Sequence, residues 1–222
     1  MSLMNKLKKL GKQAYWKGFD LVHQRTHRHA GYRVHYVLHR GSSDALVVVF
    51  SAFSAGLKPT YNYVRTLWGR TDAHLLFIRD DFVNLPSGGA YYIGRKGDSH
   101  GRQAVLSLIR RIREQTGAKR VIGVGSSKGG TAALLFGCML PMDAVIIGAP
   151  QYYIGSYMKE HKPDSLALLA TAAAASWRRI SPGWTPLFPG RWGNARPRPL
   201  STSTTPTGST PTRSISPTCC AT

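Results

Sequence analysis

The sequence predicts an α/β fold, three layers deep around a mainly parallel sheet, followed by a tail that does not belong to it. Three observations carry this. Short apolar runs alternate with segments of helical period, the pattern of strand–helix–strand crossovers. One strand-to-helix junction reads Gly125-Ser126-Ser127-Lys128-Gly129. The composition also changes abruptly past residue 165.

Residues 1–30 begin with a basic amphipathic helix. Leu3, Leu7, Leu10 and Ala14 share one face, with Lys6, Lys8, Lys9, Lys12 and Lys17 around the rest. One reading is a helix docked on the domain with a solvated lysine face. The other is a peripheral contact with a membrane surface or a polyanion. The segment is too short and too charged to span a bilayer and has no signal-peptide core. His23, His27 and His29 follow in an Arg/His-rich stretch with no Cys, Asp or Glu between them, so a solvated basic turn is expected rather than a metal site.

Residues 31–165 read as the folded domain. The stretch 32–39 alternates as a strand does, and 44–50 is a continuous apolar run suited to a strand buried on both faces. A small-residue loop begins at Ser51. A further strand at 74–78 leads into Arg79-Asp80-Asp81-Phe82 and a Gly/Tyr-rich loop over 87–94. The helix at 102–116 turns Val105, Leu108, Ile109 and Ile112 inward and Arg110, Arg111 and Arg113 outward, and Gly117 ends it. Then come a strand at 120–124, a helix at 131–139, and a strand at 144–147 that ends in Gly148-Ala149-Pro150-Gln151-Tyr152-Tyr153. In such a sheet ligands bind beyond the carboxyl ends of the strands, where the loops at Ser51, Asp80, Ser127 and Pro150 converge.

The junction at 125–129 has the G-x-S-x-G form of a nucleophile elbow in the strand–turn–helix context that the motif requires. The turn lifts Ser127 Oγ out of the sheet edge, and the N-terminus of the following helix supplies free N–H groups where an oxyanion would form. Two other loops are excluded by spacing. A phosphate-binding loop would need a second Gly-Lys-Ser/Thr, but Thr131 is followed by Ala132-Ala133-Leu134. A dinucleotide fingerprint would need G-x-G-x-x-G, and no acidic residue closes the next strand.

Gly125 to Leu134, together with Phe50-Ser51-Ala52-Phe53, Arg79-Asp80-Asp81-Phe82 and Tyr91-Tyr92-Ile93-Gly94, resembles a bacterial α/β-hydrolase-like group. That group includes capsular-polysaccharide biosynthesis proteins of the XcbB/CpsF type and accessory-secretion carbohydrate O-acetyltransferases. The resemblance spans about residues 30–160. It implies a sheet of the α/β-hydrolase type and a serine hydrolase or acyltransferase acting on a glycan or other acyl-bearing, hydroxylated substrate. Ser127 matches the nucleophile, and no cofactor, metal or specific nucleic acid is implied.

The remaining site residues follow from position. The residue after the nucleophile, Lys128, and the loop after the 44–50 strand, at Ala52 or Phe53, are placed to give the oxyanion N–H groups. Lys128's side chain is expected to be a solvated charge. Asp80, Asp81 and Tyr152 lie at the carboxyl edge as candidates for binding substrate. A serine nucleophile needs a base, usually a His held by an acid. After Ser127 the sequence offers only His161 as a base, with Asp143, Glu160 and Asp164 as acids. Asp143 starts its strand, at the wrong end of the sheet.

From residue 165 to 222 there is no acid, Lys or His, while 8 of the 13 prolines and 3 of the 5 tryptophans fall there. From Ser201 to Thr218, 15 of 18 residues are Ser, Thr or Pro. Residues 166–222 are therefore expected to be disordered, as a low-complexity stalk or as a segment read out of frame, leaving a truncated domain whose catalysis is impaired. The tail sharpens a formal charge of +20, and the three cysteines give no disulfide framework, so a reducing, cytoplasmic location is expected.

Overall fold

A six-stranded sheet organises the computed structural model, which describes residues 3–53, 60–81, 88–92 and 99–166. The expected tail, past residue 166, lies outside them. In chain order the elements are α1 (Leu3–His23), β1 (Gln24–His29), β2 (Tyr32–His39), β3 (Ala45–Phe50), α2 (Val64–Leu67) and β4 (His74–Ile78). They continue with α3 (His100–Thr116), β5 (Arg120–Ser126), α4 (Lys128–Met139), β6 (Ala144–Gly148) and α5 (Ile154–His161). The strand order is β1-β2-β4-β3-β5-β6. β4, β3, β5 and β6 are mutually parallel, and β2 is antiparallel to both of its neighbours. This is the mainly parallel sheet that the alternation of apolar runs called for, and it is of the α/β-hydrolase type that the resemblance implied.

The run Ala45–Phe50 is apolar throughout because β3 is covered on both faces. Leu46, Val48 and Phe50 join Leu76 and Ile78 of β4 against Val105, Leu108 and Ile109 of α3 and Ala132, Ala133 and Phe136 of α4. Val49, Leu75 and Phe77 face the opposite way, onto Tyr61, Val64, Trp68 and the α1 residues Trp16 and Phe19. Helices on each side of the sheet make the three layers, and each large apolar side chain so buried contributes about 1.5–3 kcal/mol. The glycine stop of α3 is realised as expected, with Gly117 at φ 66°.

Two expectations change. The basic stretch at 24–29 is no turn but β1, paired along its whole length with β2 from Gln24↔Val37 to His29↔Tyr32. Its hydrophilic sequence suits an edge strand with one covered position, His27, which is 6% exposed and lies 3.2 Å from Ser107 Oγ of α3. The second concerns α1. It docks through Trp16, Phe19, Asp20 and His23: Phe19 and His23 pack on Trp68, and Asp20 accepts a 2.7 Å bond from Arg79. The Leu7–Leu10 face, which one of the two readings placed against the domain, points to solvent.

Burial, reinforced by the positive Arg111 and by His29, holds the His27 pKa below the ordinary histidine value. As pH falls below about 6.5 the unfolded chain therefore binds this proton before the folded one does, and stability declines until folded His27 protonates too. We expect the urea midpoint to drop between about pH 7 and about pH 5, with a shallower drop for His27→Gln. An unchanged slope in that variant would show that His27 does not contribute.

Candidate active site

Between β5 and α4 stands a single residue, Ser127. Its φ of 51° and ψ of −125° fall outside the regions that L-residues ordinarily occupy. Such a conformation costs about 1–3 kcal/mol and persists only where its surroundings impose it. Ser127 N–H donates to Gly148 O at 2.8 Å, and Ser127 O accepts from Thr131 N–H at 3.0 Å. Crowded backbone does the rest. A Cβ on Gly125 would lie 2.1 Å from Gly129 O, and one on Gly129 would lie 2.5 Å from Phe50 O. The glycines of the pentapeptide are thus required because β5, α4 and the end of β3 meet backbone to backbone. Ser127 is left half-buried, with no hydrogen bond from its Oγ to any described residue.

The first free helix amide follows at once, on Lys128. For the second oxyanion donor the sequence left Ala52 or Phe53 open. Ala52 N–H donates to Asn62 Oδ1 at 3.0 Å, so it is committed, and the candidate amide in this loop is that of Phe53. Nothing in the sequence pattern pointed to Asn62. The Phe53 ring packs edge-on to Tyr91 at 5.4 Å and stacks with Tyr157 at 6.4 Å, walling the same region.

Lys128's side chain is not the solvated charge expected. It and Asp80 are both fully buried, Nζ to Oδ2 2.6 Å apart. Asp80 Oδ2 also accepts from Ala90 N–H at 2.8 Å, and Asp80 N–H donates to Ser51 Oγ at 3.1 Å. Tyr92 OH accepts from Ser51 N–H at 2.8 Å and donates to Ile78 O at 3.0 Å. The Lys128 ammonium also sits 5.1 Å from the Tyr92 ring centroid and 5.4 Å from that of Phe53. Burial pulls the Lys128 pKa down, against the opposing pull of Asp80, and burial also raises that of the Tyr92 phenol well above its ordinary value. A side chain on Gly89 would come within 2.9 Å of Lys128 Nζ, so the pair is roofed by bare backbone. Asp80 is therefore a buried counter-ion and not a group offered to a substrate hydroxyl.

Asp81 is likewise turned aside, to His35 Nδ1 of β2 at 2.7 Å. Tyr152 is 53% exposed and borders an apolar cleft lined by Thr131, Leu134, Leu135, Cys138, Pro150 and Ile154. Thr131 closes one end of it by bonding the backbone N–H and C=O of Gln151, and Gln151 Oε1 accepts a bond from Tyr91 OH. His161 lies at the end of α5, exposed, its Nδ1 3.2 Å from Tyr157 O and its ring stacked on Tyr157 at 4.5 Å. It makes no bond to Ser127. Asp143 caps the amino end of β5 through Val121 N–H at 2.7 Å, away from the site as expected. Among the described residues no three metal-ligating side chains come together.

Comparisons with known proteins agree with this architecture. No protein-family model matches the chain, and no curated protein matches it in sequence. Among solved structures it is similar to the capsule O-acetyltransferase of Neisseria meningitidis serogroup A, at 23% identity and a TM-score of 0.53, over 64% of this chain and 61% of that one. It is also similar to a chain of the glycosylation associate protein complex from Streptococcus agalactiae, at 21% identity and a TM-score of 0.57, over 77% of this chain and 34% of that one. The chain thus spans less than two thirds of the length of either relative. At these identities the likeness is one of fold.

Breaking a buried ion pair by removing one partner costs about 3–5 kcal/mol, while an apolar replacement of both is often close to neutral. We expect Lys128→Met and Asp80→Leu each to lower unfolding stability by about that amount, and the double variant to recover most of it. Simple additivity in a urea-denaturation cycle would contradict the pairing.

Proposed function

We propose that the protein is a serine-dependent acyl-transfer enzyme, with Ser127 as the nucleophile. The observation that carries this is the backbone of Ser127 itself. A polar residue is held in a strained turn at the carboxyl edge of the sheet, at the start of α4 with its Lys128 amide, and the loop carrying the Phe53 amide lies against that helix start. Strain of this kind is retained where it aims a side chain, and the arrangement is that of an elbow with its oxyanion donors.

In the proposed reaction Ser127 Oγ adds to the carbonyl carbon of an ester, and the charge that develops on the carbonyl oxygen is met by the two amides. The C–O bond to the leaving alcohol breaks, that alcohol departs with the proton given up by Ser127 Oγ, and the acyl group stays on Ser127. Attack by water completes a hydrolysis; attack by a sugar hydroxyl completes a transfer. The capsule O-acetyltransferase among the fold relatives, together with the motif resemblance to polysaccharide-modifying proteins, favours a glycan hydroxyl as acceptor. Tyr152 and the cleft beside it are the proposed substrate-facing surface. Asp81, engaged with His35, is not part of it. His161 is a weak candidate for the base, because it is exposed and bonded to its own helix.

A fluorescent phosphonate that modifies activated serines is expected to label the protein, and Ser127→Ala to abolish labelling. Labelling that survives in Ser127→Ala would overturn the assignment. For an activated ester such as p-nitrophenyl acetate, we expect His161→Ala to keep turnover within about twofold, whereas losing a true base costs several powers of ten. A loss on that scale would put His161 at the nucleophile.

A further inference from the structure

The orientation of α1 leaves an apolar stripe that no described residue covers. Met4, Leu7, Leu10, Leu21 and Val22 are 63%, 59%, 61%, 87% and 76% exposed. At 100° per residue they fall in one sector, opposite the sector from which Trp16, Phe19, Asp20 and His23 dock. The apolar surface runs the length of a 21-residue helix, about 30 Å at the usual rise. Half-exposed Tyr15 flanks it, with its ring 5.0 Å from the Arg65 guanidinium.

The sequence of this helix before Asp20 carries charge of one sign, and at the same spacing Lys6, Lys8 and Lys17 fall to either side of the stripe. Between residues 3 and 19 the sequence has five lysines and no acidic residue; the first is Asp20, which is engaged by Arg79. The β1–β2 hairpin that follows adds exposed Arg25, Arg28 and Arg33. A second copy of the same helix would set lysines against lysines. A nucleic acid would use the lysines but leave the leucines in water. An anionic phospholipid surface uses both, because apolar side chains enter the headgroup boundary and lysines meet the lipid phosphates.

We propose that α1 lies in the plane of an anionic bilayer surface and holds the domain there, bound to the sheet through Trp16, Phe19 and the Asp20–Arg79 pair. No described helix is long and apolar enough to cross a membrane, so the attachment is peripheral. The proposal does not depend on the role of Ser127.

The test is flotation of the full chain with phosphatidylcholine vesicles and with vesicles of phosphatidylcholine mixed with phosphatidylglycerol. Binding to the mixed vesicles is expected to be about tenfold or more tighter and to weaken as salt rises. Leu7→Asn combined with Leu21→Asn is expected to lower it about tenfold further, with the circular dichroism melt unchanged, since both side chains face solvent. Equal binding to neutral vesicles, no binding to either, or full retention in the double variant would overturn the proposal. A concentration-dependent dimer abolished by the same variant would overturn it in favour of a second copy as occupant.

Discussion

One buried ion pair ties together the loops on which the candidate site is built. Lys128 begins the helix that follows Ser127, and Asp80 follows β4, two strands away across the sheet. Their 2.6 Å contact, with Ser51 Oγ, Ala90 N–H and the Tyr92 hydroxyl around it, links the ends of β3 and β4, the start of α4 and the 88–92 segment. Such a pair adds little net stability, because desolvating two charges offsets their attraction. What it adds is geometry. A charge so enclosed has few alternative positions, and the backbone N–H of Lys128 is fixed with its side chain.

The elbow depends on this in a second way. Three backbone segments converge on Gly125 and Gly129 with no room for a Cβ, and the strained conformation of Ser127 results from their convergence. Tyr91 and Tyr92 are held at φ 54° and 58° beside it. Each is anchored by its hydroxyl, Tyr91 to Gln151 and Tyr92 to Ile78 and Ser51. With Ala149 at φ 42° after β6, four non-glycine residues around this sheet edge have positive φ, and the two packed layers of apolar side chains supply the stability that offsets the strain.

Much of this was legible in the residues. The apolar runs give β3, β4, β5 and β6 to within two residues; for β3 and β4 the reason is burial on both faces, which demands apolar residues throughout. The glycines mark the elbow, because close backbone approach excludes every other residue type. What the sequence concealed is non-local. Lys128 at a helix start reads as solvated until Asp80, 48 residues earlier, is found against it. β1 reads as a turn because a hydrophilic edge strand carries no apolar period. The apolar stripe of α1 is plain in the sequence, but which face docks is decided by Trp16, Phe19 and Asp20 finding Trp68 and Arg79. Likewise Ala52 and Phe53 are equivalent in sequence, and Asn62 alone separates them.

The central claim is that Ser127 carries the acyl group. The most direct measurement is intact-mass spectrometry of the protein after brief exposure to p-nitrophenyl acetate, followed by peptide mapping. The account predicts an added mass of one acetyl group, located on the peptide containing Ser127 and lost on Ser127→Ala. Acetylation confined to surface lysines, unchanged by that substitution, would contradict it.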